Sequence, residues 1–255
     1  MDFEEIDAIV RRQFRLDTNC SEEMENEYRV MINPSRKVEG ARFYGELSPF
    51  FRAIVYFGDM YLCCDERIIE EVRYKYLKYA PEWFCKFTNL NELNRFLEGY
   101  GYSILDTHIY YLPGRDFYDY EFETDYDLVY LEPEAILELK GDKRFRNAFA
   151  YIPDAPDMIG LAAMFENEMI GCAGASADGK YMWQIGVDVT EDYRGQGLSC
   201  ALTHTLAAKI MEKGIVPYYG TCESHSISRR CAIGSGFIPA FCEVYVKKDA
   251  GQILP

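Results

Sequence analysis

Long apolar runs are missing from this chain of 255 residues: nowhere do about 18 consecutive apolar residues occur, the least that a membrane-spanning helix needs. The start Met1-Asp2-Phe3-Glu4-Glu5 is acidic and holds no apolar core segment, so neither export nor membrane insertion is expected and the cytoplasm is the expected location. Cations are scarce. Lys and Arg number 27 against 42 acids, a net charge of −15, and such a field repels a phosphate backbone, so nucleic acid is not an expected partner. The same field either favours amine or polyamine acceptors or is the ordinary acidity of many cytosolic proteins. Cys-x-x-Cys pairs are also missing. The nine cysteines are an odd count in a chain too large to need disulfide staples, so reduced thiols and no metal are expected. Cys63 and Cys64, followed by Asp65, read as the end of a strand before a helix. No Gly-Lys-Ser or Gly-Lys-Thr follows a glycine turn, which argues against a P-loop.

What is present is concentrated between Met182 and Gly214. Met182, Trp183, Ile185, Val187 and Val189 have few polar interruptions and predict a largely buried strand. Beyond Gly197 the apolar positions Leu198, Ala201, Leu202, Leu206 and Ile210 recur at helical spacing, with Gly214 after Lys213 as the expected cap. A strand thus runs through a glycine turn into a helix. The first amides of such a helix lack intrahelical partners and its dipole is positive there, so the turn is an anion site for a phosphate or pyrophosphate. Gly195 and Gly197 let the backbone approach that anion closely.

The spacing Arg194-x-x-Gly197-x-Ser199 resembles the pyrophosphate loop of the GCN5-related N-acetyltransferases (GNAT), with Ser199 standing where that family has glycine or alanine. A second match follows one strand later. Val216–Cys222 predicts a strand, and the family's Asn-x-x-Ser/Ala segment, helix and closing Gly-Phe find counterparts in His225, Ser228 and Gly236-Phe237. The resemblance covers Leu128–Lys248. It implies a mixed, mostly antiparallel α/β (α+β) sheet flanked by helices. It also implies acetyl-CoA as acyl donor and an amine-bearing small molecule or peptide as acceptor. Around the loop, Leu128–Leu131 predicts a strand, Pro133–Lys140 and Arg144–Ala150 two helices, Met158–Phe165 and Met169–Ser176 paired strands joined through Asp178-Gly179 to the main strand, and Phe241–Lys247 a closing strand.

The chain is about twice the size of one such domain, so an additional α/β domain is expected over residues 1–115, a linker or edge strand over 116–127 and the acyltransferase domain over 128–255. In the first of these, Glu4–Leu16 reads as an amphipathic helix through Ile6, Ile9, Val10 and Phe14. Ala53–Phe57 and Ile104–Leu112 read as strands. Asp65–Tyr79 reads as an Asp-capped helix and Asn89–Glu98 as a helix ended by Gly99. No catalytic constellation stands out there. The alternating acids and aromatics from Asp116 to Glu123 read either as the linker or as an acidic wall that attracts a cationic amine.

The resemblance implies that the main-chain amides of Val187 and Val189 hold the pantetheine arm and that Arg194, Gly195, Gln196, Gly197, Leu198 and Ser199 wrap the pyrophosphate. His225 and Ser228 complete the donor site. An amine then attacks the thioester directly, which requires a proton acceptor and a proton donor. Many members of that family carry a tyrosine donor four residues before the closing Gly-Phe, and Ala232 stands there in this chain. Tyr218, Tyr219 and Tyr245 are substitutes by type, and Glu223 with His225 lies at the strand end where a base faces the acyl group. His204 reads as a packing residue in the long helix, and His108 has no partner in sequence. Two other readings stay open. A non-catalytic acyl-CoA-binding sensor or structural module keeps the fold and drops the turnover. A dinucleotide-binding oxidoreductase needs a third small residue, at Cys200, and an acid about 20 residues on, where Tyr218 and Tyr219 stand.

Overall fold

Ile6, Val10 and Phe14 recur at helical spacing, and all three are buried in α1 (Phe3–Asp17). The computed structural model describes residues 1–43 and 48–249. It divides into two compact units, one of Met1–Gln13 with Tyr111–Pro239 and the other of Phe14–Tyr110 with the described residues from Ala240 onward. The chain therefore changes unit three times, inside α1, inside β4 (Tyr102–Pro113) and inside β10 (Phe237–Lys248). Contiguous domains over 1–115 and 128–255 describe the chain differently, because hydrophobic periodicity reports local faces and not which distant segment covers them.

The unit around Phe14–Tyr110 holds β1 (Val30–Pro34), β2 (Phe51–Tyr56) and β3 (Asp59–Cys64), in the order β1-β3-β2-β10-β4. β2 and β3 form an antiparallel hairpin, and β1 lies parallel to β3. Phe57, expected inside a strand, sits instead in the hairpin turn with Gly58, at φ +42° and +86°, the left-handed pair that matches strand twist. α3 (Ile69–Tyr76) and α4 (Phe87–Glu98) bury Val72, Tyr76, Leu93 and Leu97 with Phe51, Leu62 and Val244 in one core. α3 starts four residues later than expected. Asp65 does not cap it; its Oδ1 accepts from the Arg67 amide at 2.9 Å, and a turn precedes the helix. Unforeseen was α2 (Glu22–Glu27), an acidic helix with no buried residue, set by Ser21 accepting at its first turn.

In the other unit β5 (Asp127–Leu131), α5 (Pro133–Glu138), β6 (Asp157–Phe165), β7 (Glu168–Ser176), β8 (Met182–Val189), α6 (Leu198–Met211), β9 (Val216–Thr221) and α7 (Ser226–Gly234) follow the expected sequence of elements. The strands run β9-β8-β7-β6-β5. All neighbours are antiparallel except β8 and β9. Fold class is thus mixed α/β with a mostly antiparallel sheet. Residues 116–126 contain a 3-10 turn at Phe117–Asp119 and no strand, and Asp127 opens β5 at the end of the strand order.

The helix expected over Arg144–Ala150 is a single 3-10 turn, Lys143–Phe145, after which the chain lies flat on the sheet. Gly160, Gly174 and Gly186 are paired in register across β6, β7 and β8 and form a trench for it. A Cβ on Gly174 would stand 2.2 Å from the Ala148 carbonyl oxygen, and one on Gly186 1.8 Å from that of Asn147. The trench, not a helical repeat, sets the path of Asn147–Phe149.

Candidate active site

β8 and β9 pair only from Met182↔Val216 to Ile185↔Tyr219, so the last four residues of β8 have no strand on that side. The direction of their amides follows from the antiparallel ladder with β7. The Thr190 amide donates to the Ile170 carbonyl at 2.9 Å, one step beyond the pair Val189↔Gly171. Alternation then turns Asp188 and Gly186 toward β7 and the main-chain groups of Val187 and Val189 toward the opening. The two amides expected to meet a pantetheine arm are the two that the splayed strands leave facing open space. The Val189 carbonyl is taken by the Arg194 guanidinium, whose Nε donates at 2.9 Å.

That opening is part of a cleft of about 730 Å³. Its walls include Val187, Val189, Arg194, Gly195, Gly197, Leu198 and Ser199 from the strand and the helix start, and Tyr219, His225, Ser228 and Cys231 from β9 and α7. Gly195 and Gly197 take φ +78° and +82°, and Gly197 is the N-cap of α6. Nothing stands within 4 Å of a Cβ built on either, so their backbone faces unfilled space. The first amides of α6 point outward there, which is the requirement for a bound diphosphate.

The cleft passes between strands and has two faces. A Cβ on Gly171, which pairs with Val189, would touch Leu198 and Leu202 of α6, so Val189 and its alternate Val187 face α6. Gly186 and Asp188 face the other way. There Asp188 is clamped by Asn147, whose amide donates to Oδ2 and whose Nδ2 donates to Oδ1, both at 2.6 Å. Sequence reasoning missed Asn147 and Asp188 because they are 41 residues apart and share no motif.

The remaining candidates separate. Gln196 is not on the cleft wall; its Oε1 accepts from Tyr126 Oη at 3.0 Å. Glu223 is exposed and is also absent from the wall; its carbonyl accepts from Arg229, which donates through Nε to Tyr111 Oη. Tyr245 belongs to the other unit, on β10, stacked 6.3 Å from His108, with its phenol pushed up by burial. Tyr218 is fully buried and donates to Asp178 at 2.7 Å. Tyr219 alone among the three substitute tyrosines lines the cleft, its hydroxyl 2.9 Å from Ser228 Oγ and its proton held tightly by burial. Ala232 is buried and offers no proton. Cys231, on the wall beside Tyr219, is pulled below the ordinary thiol value by the hydrogen bond from Cys200. Among the described residues no cluster of His, Cys, Asp and Glu is built to hold a metal, and no helix is long and apolar enough to cross a membrane.

No curated protein matches the chain. Among solved structures, a GCN5-related N-acetyltransferase-like protein from Streptococcus suis is 16% identical, with 94% of this chain and 99% of that one covered at a TM-score of 0.47. An acetyltransferase from the GNAT family of Colwellia psychrerythraea is 11% identical over 97% and 98% of the two chains, at 0.44. A GCN5-related N-acetyltransferase from Kribbella flavida is 19% identical over 63% and 65%, also at 0.44. The model of the acetyltransferase (GNAT) family matches residues 115–237, which include the glycine loop, the splayed strands and every residue of the cleft wall. Over this segment the chain is similar to the GNAT acetyltransferase family.

Proposed function

We propose that the unit formed by Met1–Gln13 and Tyr111–Pro239 transfers an acetyl group from acetyl-CoA to an amine by direct attack on the thioester. The observation that carries this reading is the pair of amides at Val187 and Val189 turned away from β7, opening into the same cleft as the α6 amides and Gly195, Gly197, Leu198 and Ser199. Outward amides at a helix start suit the donor's diphosphate, and extended-strand amides suit a pantetheine arm that adds to the sheet as a short strand would. An amide donor aimed at the thioester oxygen stabilises the charge that develops there, an effect of about 3 kcal/mol per donor in acyl-transfer enzymes. His225, at the N-cap of α7, takes the amine's proton directly or through water. Tyr219 supplies the proton that the residue at position 232 cannot, because it alone of the substitute tyrosines reaches the wall. Glu223 and Tyr245 are left without a role in this chemistry.

Calorimetry with acetyl-CoA, NAD and ATP tests the donor half, and release of free thiol in the presence of amines tests the transfer. Binding of acetyl-CoA alone in the micromolar range, with amine-dependent thiol release, is expected. Binding without release for any amine would favour an acyl-CoA-binding sensor, a reading that the apolar Ala232 keeps in play. No binding to a folded protein removes the donor assignment.

A further inference from the structure

We infer that Asp188 is the acceptor-binding residue of the cleft and that it receives the ammonium group of a cationic primary amine on the face opposite the donor loop; the inference rests on the acyl-transfer reading above. Four observations converge on it. Asp188 is the only carboxylate among the described residues of the cleft wall. It occupies the strand position between the two open amides, so its side chain leaves the sheet beside the place where those amides would hold a thioester, but on the far face. Its carboxylate is fixed by two hydrogen bonds from Asn147 at 2.6 Å, one to each oxygen, and each oxygen keeps a second lone-pair direction for a further donor. Gln184, the next polar side chain on that face of β8, is uncharged and lies 3.4 Å from the Tyr218 hydroxyl, so Asp188 is the group on that face that offers an incoming cation a full counter-charge.

The two faces of the cleft have opposite polarity. Toward α6 stand Arg194 and the helix-start amides, suited to an anionic donor; toward Asn147 stands the carboxylate, suited to a cationic acceptor. A net charge of −15 steers such an amine to the molecule. The clamp is built for this orientation. Asn147 can place its main chain over β8 only because Gly186 has no side chain, and the donors it directs at Asp188 fix the carboxylate without neutralising it.

In the reaction the bound ammonium gives one proton to the base or to water, and the neutral nitrogen attacks the thioester carbon. A C–N bond forms, the C–S bond breaks, the nitrogen gives up its second proton, and the leaving thiolate takes up one, so ammonium and thioester become amide, thiol and one released proton. The product amide carries no charge at that nitrogen, so it loses its ion pair with Asp188, which speeds release.

The test compares the wild-type chain with Asp188→Asn and Asn147→Ala. Acetyl-CoA affinity is measured by calorimetry and acceptor kinetics by thiol release, with benzylamine and spermidine as cationic acceptors and aniline as a nitrogen nucleophile that is neutral at the same pH. Asp188→Asn should raise KM at least tenfold for benzylamine and spermidine, leave KM for aniline and the affinity for acetyl-CoA within twofold, and so abolish the preference for the cation. Asn147→Ala, which loosens the loop but keeps the carboxylate, should retain that preference. Equal losses for cationic and neutral acceptors, or equal behaviour of the two variants, would show Asp188 to be only a loop anchor and overturn the inference. If the wild-type chain binds acetyl-CoA but acetylates no amine, the transfer reading falls and takes this inference with it; if it transfers and Asp188→Asn changes nothing, the inference alone falls.

Discussion

Gly197 and Gly186 are glycines for opposite reasons. Gly197 has open space where a Cβ would go but a φ of +82°, whereas Gly186 has no room at all, with the Asn147 oxygen 1.8 Å from the same point. Valine at 197 therefore strains one residue by about 1–2 kcal/mol and fills the approach to the α6 amides. Gly197→Val should weaken acetyl-CoA binding more than tenfold while melting stays cooperative; calorimetry with unchanged affinity would take the loop out of the site. Gly186→Ala acts on the fold instead. It must displace Asn147, at about 1–3 kcal/mol by analogy with overpacked cores, so the melting temperature should fall by several degrees. Tyr219 is the third residue with a separable role. Tyr219→Phe removes a cleft hydroxyl and keeps the ring, so kcat should drop by about 10²–10⁴ with acetyl-CoA affinity kept, the range expected for loss of a proton-transferring group. A kcat within threefold of wild type would return the search to Cys231.

At the scale of elements, α6 is held from both ends of its apolar stripe and by one polar anchor. Leu198, Leu202, Leu206 and Ile210 are buried, as their spacing required. His204 on the same helix is half-buried, stacked 4.2 Å from Phe117 and met at a tilt by Phe122 at 4.9 Å, with Nδ1 3.1 Å from the Ser235 carbonyl just after α7. Burial pushes the imidazole below its usual value of 6.5 despite that hydrogen bond. The unfolded chain then binds a proton that the folded one resists, so this stabilisation is present above pH 6.5 and declines as the pH falls below it. Melting temperature should decrease between neutral pH and about pH 5.5, and His204→Phe, which keeps the aromatic stack, should flatten that slope. An unchanged slope would assign the acid sensitivity to other groups. In the other unit, Asp17, Arg42, Arg52 and Glu243 form a buried cluster in which Arg42 Nε meets Asp17 Oδ2 at 2.6 Å and Arg52 Nε bonds Glu243. Glu243, from the part of that unit after Ala240, brings the counter-charge for Arg52.

For the whole molecule, interleaving decides how the chain can be cut. The unit that carries the cleft includes Met1–Gln13, where Ile6, Val10 and Gln13 are buried and Gln13 Oε1 accepts from the Tyr181 amide at 2.8 Å. A fragment of residues 116–255 would lack that helix and the start of the segment from Tyr111, so it should not fold cooperatively, whereas the full chain should. Circular dichroism melting of the two decides it, and a cooperative fragment that binds acetyl-CoA would show the first helix to be dispensable.

The sequence by itself determined the element order from β5 to α7, because β-branched runs, helical spacing and glycine stops are local properties that tertiary packing reinforced here. It also marked the turn Arg194–Ser199 between a strand and a helix, since glycines at such a junction are a local signal. Only the tertiary structure decided that β8 and β9 part after Ile185, and with it which side chains reach the opening: Tyr219 does, while Glu223 and Tyr245 do not. It alone paired Asn147 with Asp188, replaced the expected helix after Arg144 by a strip laid in a glycine trench, and divided the chain into interleaved units. Each of these depends on contacts between segments tens of residues apart, and the local periodicity of a sequence carries no record of which distant face will cover which.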